Sequence, residues 1–454
     1  MKLRQYGKME QRYLDDFFTF LRFPSISTDP RHKADMMRCA KWLAQRLNKI
    51  GLTAKIMPTE KMGHPVVVAK NKHKKNRKTV LIYGHYDVQP VDPIELWKQS
   101  PFEPHLANGI VTARGATDNK GQILAHILGV EKTMRTSGDL PVNLTFLIEG
   151  EEEIGSVHLG DFIRKHRQEL ACDVIVISDT TMIAPNRPTL TCGLRGILTM
   201  DVHLTGPAMD LHSGSYGGAV VNPATALARL IATLHDKNWK IQIDGIYDSV
   251  RPIQKWEKKA WRQLKAGDRQ ILNITKAPAL DGETGYTSQE RIMARPTAEV
   301  NGFYGGYQGE GSKTVLPKEA HAKLSFRLVP DQTPQQVKKL VEKHLRKHCP
   351  KTVKLSFEWG HGGEPYLMDP TTRYGLAAQK ALRKAFGGMK PVLLRDGGSI
   401  PVVSDFKKAL KADTLLLGLA LPDCGAHSPN ETFPLKSLET GIRLNEILLQ
   451  ELAH

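Results

Sequence analysis

The stretch VNLTFLIEGEEEIGS (142–156) runs from an almost continuously apolar segment straight into three adjacent glutamates. Its first half lacks the in–out alternation of a half-exposed strand and reads as a strand covered on both faces. DVIVIS (173–178) has the same character, and PVVVAK (65–70) and TVLIYGH (79–85) are also strand-like. Residues 120–136 look helical. Residues 35–50 place Met37, Ala40, Leu43, Leu47 and Ile50 at spacings of three and four, with Gly51 as a stop. This alternation predicts an α/β domain with a mostly parallel sheet flanked by helices. In such sheets ligands gather beyond the carboxyl ends of the strands. His85, Glu152, Glu153 and Asp179 all follow strand-like runs directly.

The pattern changes near residue 197, where ILTMDVHLTG alternates apolar and polar residues. A helix over 222–235, strands over 298–304 and 320–329, a helix over 334–347 and a strand over 352–358 follow. That order, β-α-β-β-α-β, describes a compact α+β unit, interrupted by a polar stretch at 236–297. After residue 369 the α/β pattern resumes, with a helix at 371–386, the stretch LLRDGGSIPVV (393–403), the run TLLLGLAL (414–421) and a last helix at 435–452. The expected organisation is a larger domain over 1–196 and 370–454, with a smaller one inserted over 197–369.

At 454 residues the chain exceeds one ordinary core. No apolar run approaches the length that spans a bilayer, and residues 10–23 mix charges into a helical pattern unlike a secretory signal. The five cysteines, at 39, 172, 192, 349 and 424, form no metal-knuckle spacing and suit reduced thiols in a cytoplasmic protein. No membrane association is expected. The net charge is +17, which permits attraction to acidic partners without specifying one. The densest basic run, KNKHKKNRK (70–78), lies between two strand-like segments and reads as a solvated hairpin turn. It carries no interleaved aromatic residues, so nucleic-acid binding is not expected.

Six short motifs hold the chemistry: GHYDVQP (84–90), RGATDNKG (114–121), EGEEEIGS (149–156), ISD (177–179), DLHSGSYGG (210–218) and GAHSPNE (425–431). Together they offer His, Asp and Glu donors suited to a pair of divalent ions, which can activate water and polarise a carbonyl. Asp87, two residues after His85, is placed to accept from the second imidazole nitrogen. Asp118 lies in a Gly-rich turn, where on its own it reads as a turn-former or helix cap. Three adjacent glutamates repel one another unless solvated or neutralised. Adjacent glutamates can also divide the labour, one binding metal and the next moving a proton.

As a set, these motifs resemble the cocatalytic-zinc metallopeptidases that include carnosinase and cytosolic non-specific dipeptidase, succinyl-diaminopimelate desuccinylase, acetylornithine deacetylase and the glutamate carboxypeptidases. The resemblance spans nearly the whole chain. It is nearest the dipeptidase branch, through GHYDVQP, SDTTM, TLTCGLRG, DLHSGSYGG, SFRLVP, GGSIP and GAHSPNE. It implies a phosphorylase/hydrolase-like catalytic domain of the zinc-peptidase type and an inserted domain that acts as lid and dimerisation module. It implies that His85 and Asp179 bind one ion, Glu153 and His427 the other, and that Asp118 bridges them through a cis bond to Asn119. The implied ions are zinc, with manganese or cobalt also suited. Glu152 becomes the general base, or Glu151 if the register slips by one, and Asp87 orients His85. His212 is implied to reach a second subunit's site in a homodimer. Arg327, Thr314, Ser399 and His361 are implied to hold a free carboxylate. The expected activity is hydrolysis of dipeptides or short peptides. The alternative is an N-acyl-amino-acid amidohydrolase with the same metal ligands.

Overall fold

The computed structural model describes residues 10–60, 63–262, 264 and 267–454. The expected first stretch, 1–196, therefore begins with nine residues outside the described ones. The chain forms two units, Met1–Cys192 with Met368–Leu394 and Asp405–His454, and Gly193–Leu367 with Arg395–Ser404.

The larger unit is built on a twisted sheet. Its strands lie in the order Thr53–Met57, Val66–Lys70, Asn143–Glu149, Thr79–His85, Val174–Ile177, Asp413–Leu417 and Thr189–Leu194. From Asn143–Glu149 to Asp413–Leu417 neighbouring strands run parallel, and antiparallel strands close both ends. Every residue of Asn143–Glu149 and of Val174–Ile177 is buried. This is what their unbroken apolar sequence requires once helices cover the sheet. The helix Lys120–Ser137 is buried almost all round through Thr133 and ends at Gly138, whose φ of 71° favours glycine.

One local expectation is corrected. Residues 70–78 do not form a hairpin, because Val66–Lys70 and Thr79–His85 both pair with Asn143–Glu149 and lie on either side of it. The basic segment crosses the start of that middle strand and is fastened there by two asparagines. The Asn71 side chain accepts from Leu144 N and donates to Val142 O, at 2.8 and 3.0 Å. The Asn143 side chain accepts from Lys74 N at 2.7 Å and donates to Lys74 O at 3.0 Å.

The smaller unit has the sheet order Thr297–Gly305, Glu319–Leu328, Gly196–Thr205, Lys354–Gly363, antiparallel throughout. Along Gly196–Thr205 buried and half-buried residues alternate. Leu198, Met200, Val202 and Leu204 face a core shared with Leu227 and Leu230 of helix Pro223–Ala232 and Val341 and Leu345 of helix Pro334–His348. Within 236–297 there are helices at Lys255–Arg262, Gly267–Thr275 and Ser288–Ala294. Residues 395–404 group with this unit rather than with the larger one. Arg395 forms a buried 2.7 Å ion pair with Glu257, and Arg195 Nε donates to Gly397 O at 2.8 Å. Among the described residues no helix is long and apolar enough to cross a membrane, and none of the five cysteines forms a disulfide.

Candidate metal centre

The centre lies within the larger unit, at the carboxyl ends of its parallel strands. His85 closes the strand Thr79–His85 and is fully buried. Its neighbour Gly84 has no room for a side chain, since a Cβ there would lie 2.8 Å from Asn119 Oδ1 and 2.7 Å from Ile123. That close approach brings the start of helix Lys120–Ser137, and Asp118 before it, onto the strand end. His85 Nε2 is 3.1 Å from Asp118 Oδ1 and 3.8 Å from Asp179 Oδ2. The other carboxylate oxygen, Asp118 Oδ2, is 3.0 Å from His427 Nε2, which is also 3.3 Å from Glu153 Oε2. Two groups of donors result, His85 with Asp118 and Asp179, and Asp118 with Glu153 and His427. Within each, the ligand atoms lie within 4.8 Å of one another. The Asp118–Asn119 peptide is cis.

The centre is crowded with carboxylates. Asp118, Glu152, Glu153 and Asp179 converge with two imidazoles. Burial pushes the Glu152 carboxyl well up, and Asp179, Glu153 and Asp118 push it further. Glu153 and Asp179 are raised by burial and then by Asp118. Carboxylates packed in this way repel unless protonated or met by positive charge. Hard and borderline donors of this type suit divalent metal ions, so the residues fit the group the resemblance implies.

Asp87 has a wider role than its spacing suggests. His85 Nδ1 lies 3.1 Å from the Asp87 main-chain oxygen and 3.3 Å from its carboxylate. The same carboxylate accepts from Glu152 N at 3.3 Å and Glu153 N at 3.0 Å. One buried side chain thus sets both the imidazole and the glutamate turn. Glu151, the alternative base, is engaged elsewhere. It accepts from His64 N at 2.7 Å and lies 2.8 Å from His158 Nδ1.

Three supporting side chains escaped the sequence reading, which named Asn119 only for its peptide bond to Asp118. Glu431 is fully buried and takes four bonds, from Arg114 Nη1, Gly115 N, Thr117 N and Asp118 N, all between 2.8 and 2.9 Å. It binds the loop of Asp118 to the turn that carries His427. Asn119 Nδ2 donates to Asp179 Oδ1 at 2.8 Å and to Ser178 O at 2.7 Å. Gln89 Nε2 donates to Glu153 Oε2 at 2.8 Å. All three stand inside the six motifs, and that position was their only signal in the sequence.

The remaining expected residues belong to the smaller unit. Arg327 Nη1 donates to Ser399 Oγ at 2.5 Å. His212 pairs with Val315 in a short ladder, so it lies beside Thr314, whose carbonyl accepts from Ser213 N at 3.0 Å. His361 is exposed and lies two residues before Gly363, which pairs with Ile197, the residue that faces Arg327 on its other side.

Known proteins resemble the chain over nearly its whole length. The Cys-Gly metallodipeptidase dug1 of Schizosaccharomyces pombe is 32% identical over 100% of this chain and 99% of that protein. Human carnosine dipeptidase 1 has a solved structure that superposes with a TM-score of 0.84 at 30% identity, over 97% of this chain and 96% of that one. An M20 family metallo-carboxypeptidase from Sulfolobus solfataricus gives a TM-score of 0.86 at 32% identity, over 98% and 100%. Residues 81–451 match peptidase family M20/M25/M40. The chain belongs to that family: it is a hydrolase, a metallopeptidase whose relatives imply divalent metal, and the two donor groups are candidates to hold it.

Proposed function

We propose that the chain is a zinc-dependent dipeptidase of the cytoplasm that acts as a homodimer. One observation carries the reading. Asp118 turns one carboxylate oxygen to His85 and the other to His427, so two donor groups share a single side chain. His85 and Asp179 would hold one ion, Glu153 and His427 the other, and Asp118 both. When bound, such ions supply Lewis acidity toward a peptide carbonyl and a water molecule. Glu152 takes the proton from the attacking water and returns it to the leaving amine. Asp87 is a positioning residue, holding the main chain of Glu152 and Glu153 and the ring of His85.

The smaller unit serves as lid and dimerisation module. His212 of the second subunit donates to the oxyanion that develops on the carbonyl. Arg327, with Ser399, Thr314 and His361, holds the free C-terminal carboxylate, a task for which a guanidinium fork is well shaped. Dipeptides are favoured over N-acyl amino acids by the relatives' names, Cys-Gly metallodipeptidase and carnosine dipeptidase. Mixed imidazole and carboxylate donors support zinc, and suit manganese or cobalt as well. Five cysteines outside any disulfide support a reducing compartment.

The test is a panel of dipeptides, N-acetyl and N-succinyl amino acids, assayed on metal-stripped protein with zinc, manganese or cobalt returned. Turnover of dipeptides is expected. Activity confined to the acyl compounds would refute the reading.

A further inference from the structure

The smaller unit contains a cavity of about 480 Å³. Arg195 and Arg327 both line it. They are brought together by one turn. Arg195 Nε donates to Gly397 O at 2.8 Å and its main-chain N–H to Gly398 O at 3.1 Å, while Arg327 Nη1 donates to Ser399 Oγ at 2.5 Å. Neither guanidinium has a carboxylate within ion-pair distance among the described residues. Two other arginines line the wall: Arg295 forms a two-pronged pair with Glu283 at 2.6 and 2.7 Å, and Arg291 Nε donates to the Glu283 main-chain oxygen at 3.0 Å.

We propose that this cavity receives the C-terminal residue of the peptide substrate and that Arg195 selects an acidic side chain there. The proposal rests on the dipeptidase reading, in which Arg327 takes the α-carboxylate. One guanidinium fork is enough for one carboxylate. A second, half-buried and without an ion-pair partner beside it, adds like-charge repulsion that a monoanion offsets only in part, whereas a dicarboxylic residue meets both. The burial and mutual repulsion are visible in Arg195, which burial and then Arg327 push down to about 10. Asp396 and Glu299 pull the other way without forming an ion pair with it. Trp239 and Ile292 supply apolar wall for the methylenes of such a side chain. The net charge of +17 acts in the same direction, since it raises the local concentration of anionic peptides.

The experiment compares kcat/KM of the metal-loaded full chain on Ala-Glu, its isostere Ala-Gln, and Ala-Leu. Ala-Glu should lead Ala-Gln by about 10- to 100-fold, because unpaired polar groups in the pocket reject the neutral analogue. Arg195→Gln should bring the ratio of Ala-Glu to Ala-Gln down to about one, whatever the loss of the Gly397 bond does to both substrates. A residue that merely props the Gly397–Ser399 turn would lower all three substrates together, and that outcome overturns the proposal. So does equal use of Ala-Glu and Ala-Gln by the native enzyme, which leaves the dipeptidase reading intact. Failure to cleave any dipeptide removes both. Should Arg195→Gln not fold, competitive inhibition of the native protein by glutamate and by glutamine decides the same question: tighter inhibition by glutamate is expected, and equal inhibition overturns the proposal.

Discussion

Replacing Glu431 by glutamine keeps the shape of a buried side chain and removes its charge. Oε2 accepts from Arg114 Nη1 and Gly115 N, and Oε1 from Thr117 N and Asp118 N. A glutamine presents one oxygen and one NH2 group, so two of those four donors face another donor. Each buried donor left without an acceptor costs about 1–3 kcal/mol. Arg114, with a side chain 1% exposed, also loses its only ion-pair partner among the described residues, and breaking a buried pair costs about 3–5 kcal/mol. These losses belong to one network and do not add, so the expected destabilisation is about 3–5 kcal/mol. The loop it releases carries Asp118, and loss of such support weakens metal binding by about 10- to 100-fold. Urea unfolding of the metal-free protein reads the first quantity and competition with a zinc indicator reads the second. Glu439→Gln, whose side chain pairs with Lys436 alone among the described residues, is the control and should move stability by less than about 0.5 kcal/mol. A Glu431→Gln protein within about 1 kcal/mol of the native one, with unchanged zinc affinity, would refute the clamp.

Glu152→Ala should retain both ions by elemental analysis and lose about 100- to 10,000-fold in kcat; near-normal turnover would show that another group moves the proton. His212→Ala mixed with Glu152→Ala should regain activity under subunit exchange, and no recovery at any mixing ratio would argue against a contribution across the dimer. Stripping metal should lower the thermal midpoint, and zinc at about 100 times its dissociation constant should return about 2.7 kcal/mol per site; an unchanged melting curve would count against the donor cage. Asn119→Ala should lose about 1–3 kcal/mol, because Asp179 Oδ1 and Ser178 O lose a buried donor, measured by urea unfolding without metal; a change near zero would mean that water replaces it.

The parallel sheet was readable because VNLTFLI and DVIVIS are apolar on both faces, and a strand with no polar face has nowhere else to go. The smaller unit was readable from the alternation along residues 197–206, which matches its one covered face. Pairing order was not. Whether Val66–Lys70 meets Thr79–His85 or lies across Asn143–Glu149 from it depends on Asn71 and Asn143 fastening the intervening segment, and local patterns do not carry such contacts. The candidate donors could be picked out because His85, Glu153 and Asp179 lie at or just after strand ends and Asp118 and His427 lie in turns, all in motifs of unusual composition. Glu431 was hidden for the opposite reason. Its partners lie at 114–118, and apart from closing the GAHSPNE motif nothing near it in sequence marks it as more than the end of a turn.

The strand Asp413–Leu417 sits inside the sheet, between Val174–Ile177 and Thr189–Leu194, although the entire smaller unit is encoded before it. A ribosome must therefore make most of the chain before that gap is filled. Until then Val174–Ile177, whose four residues the finished fold buries completely, presents an open apolar edge. Open edges of this kind are templates for association between chains. Synthesis imposes a long interval of vulnerability, and nascent protein would depend on chaperones that cover the edge. A message broken before codon 413 leaves an aggregation-prone fragment in place of a shorter enzyme.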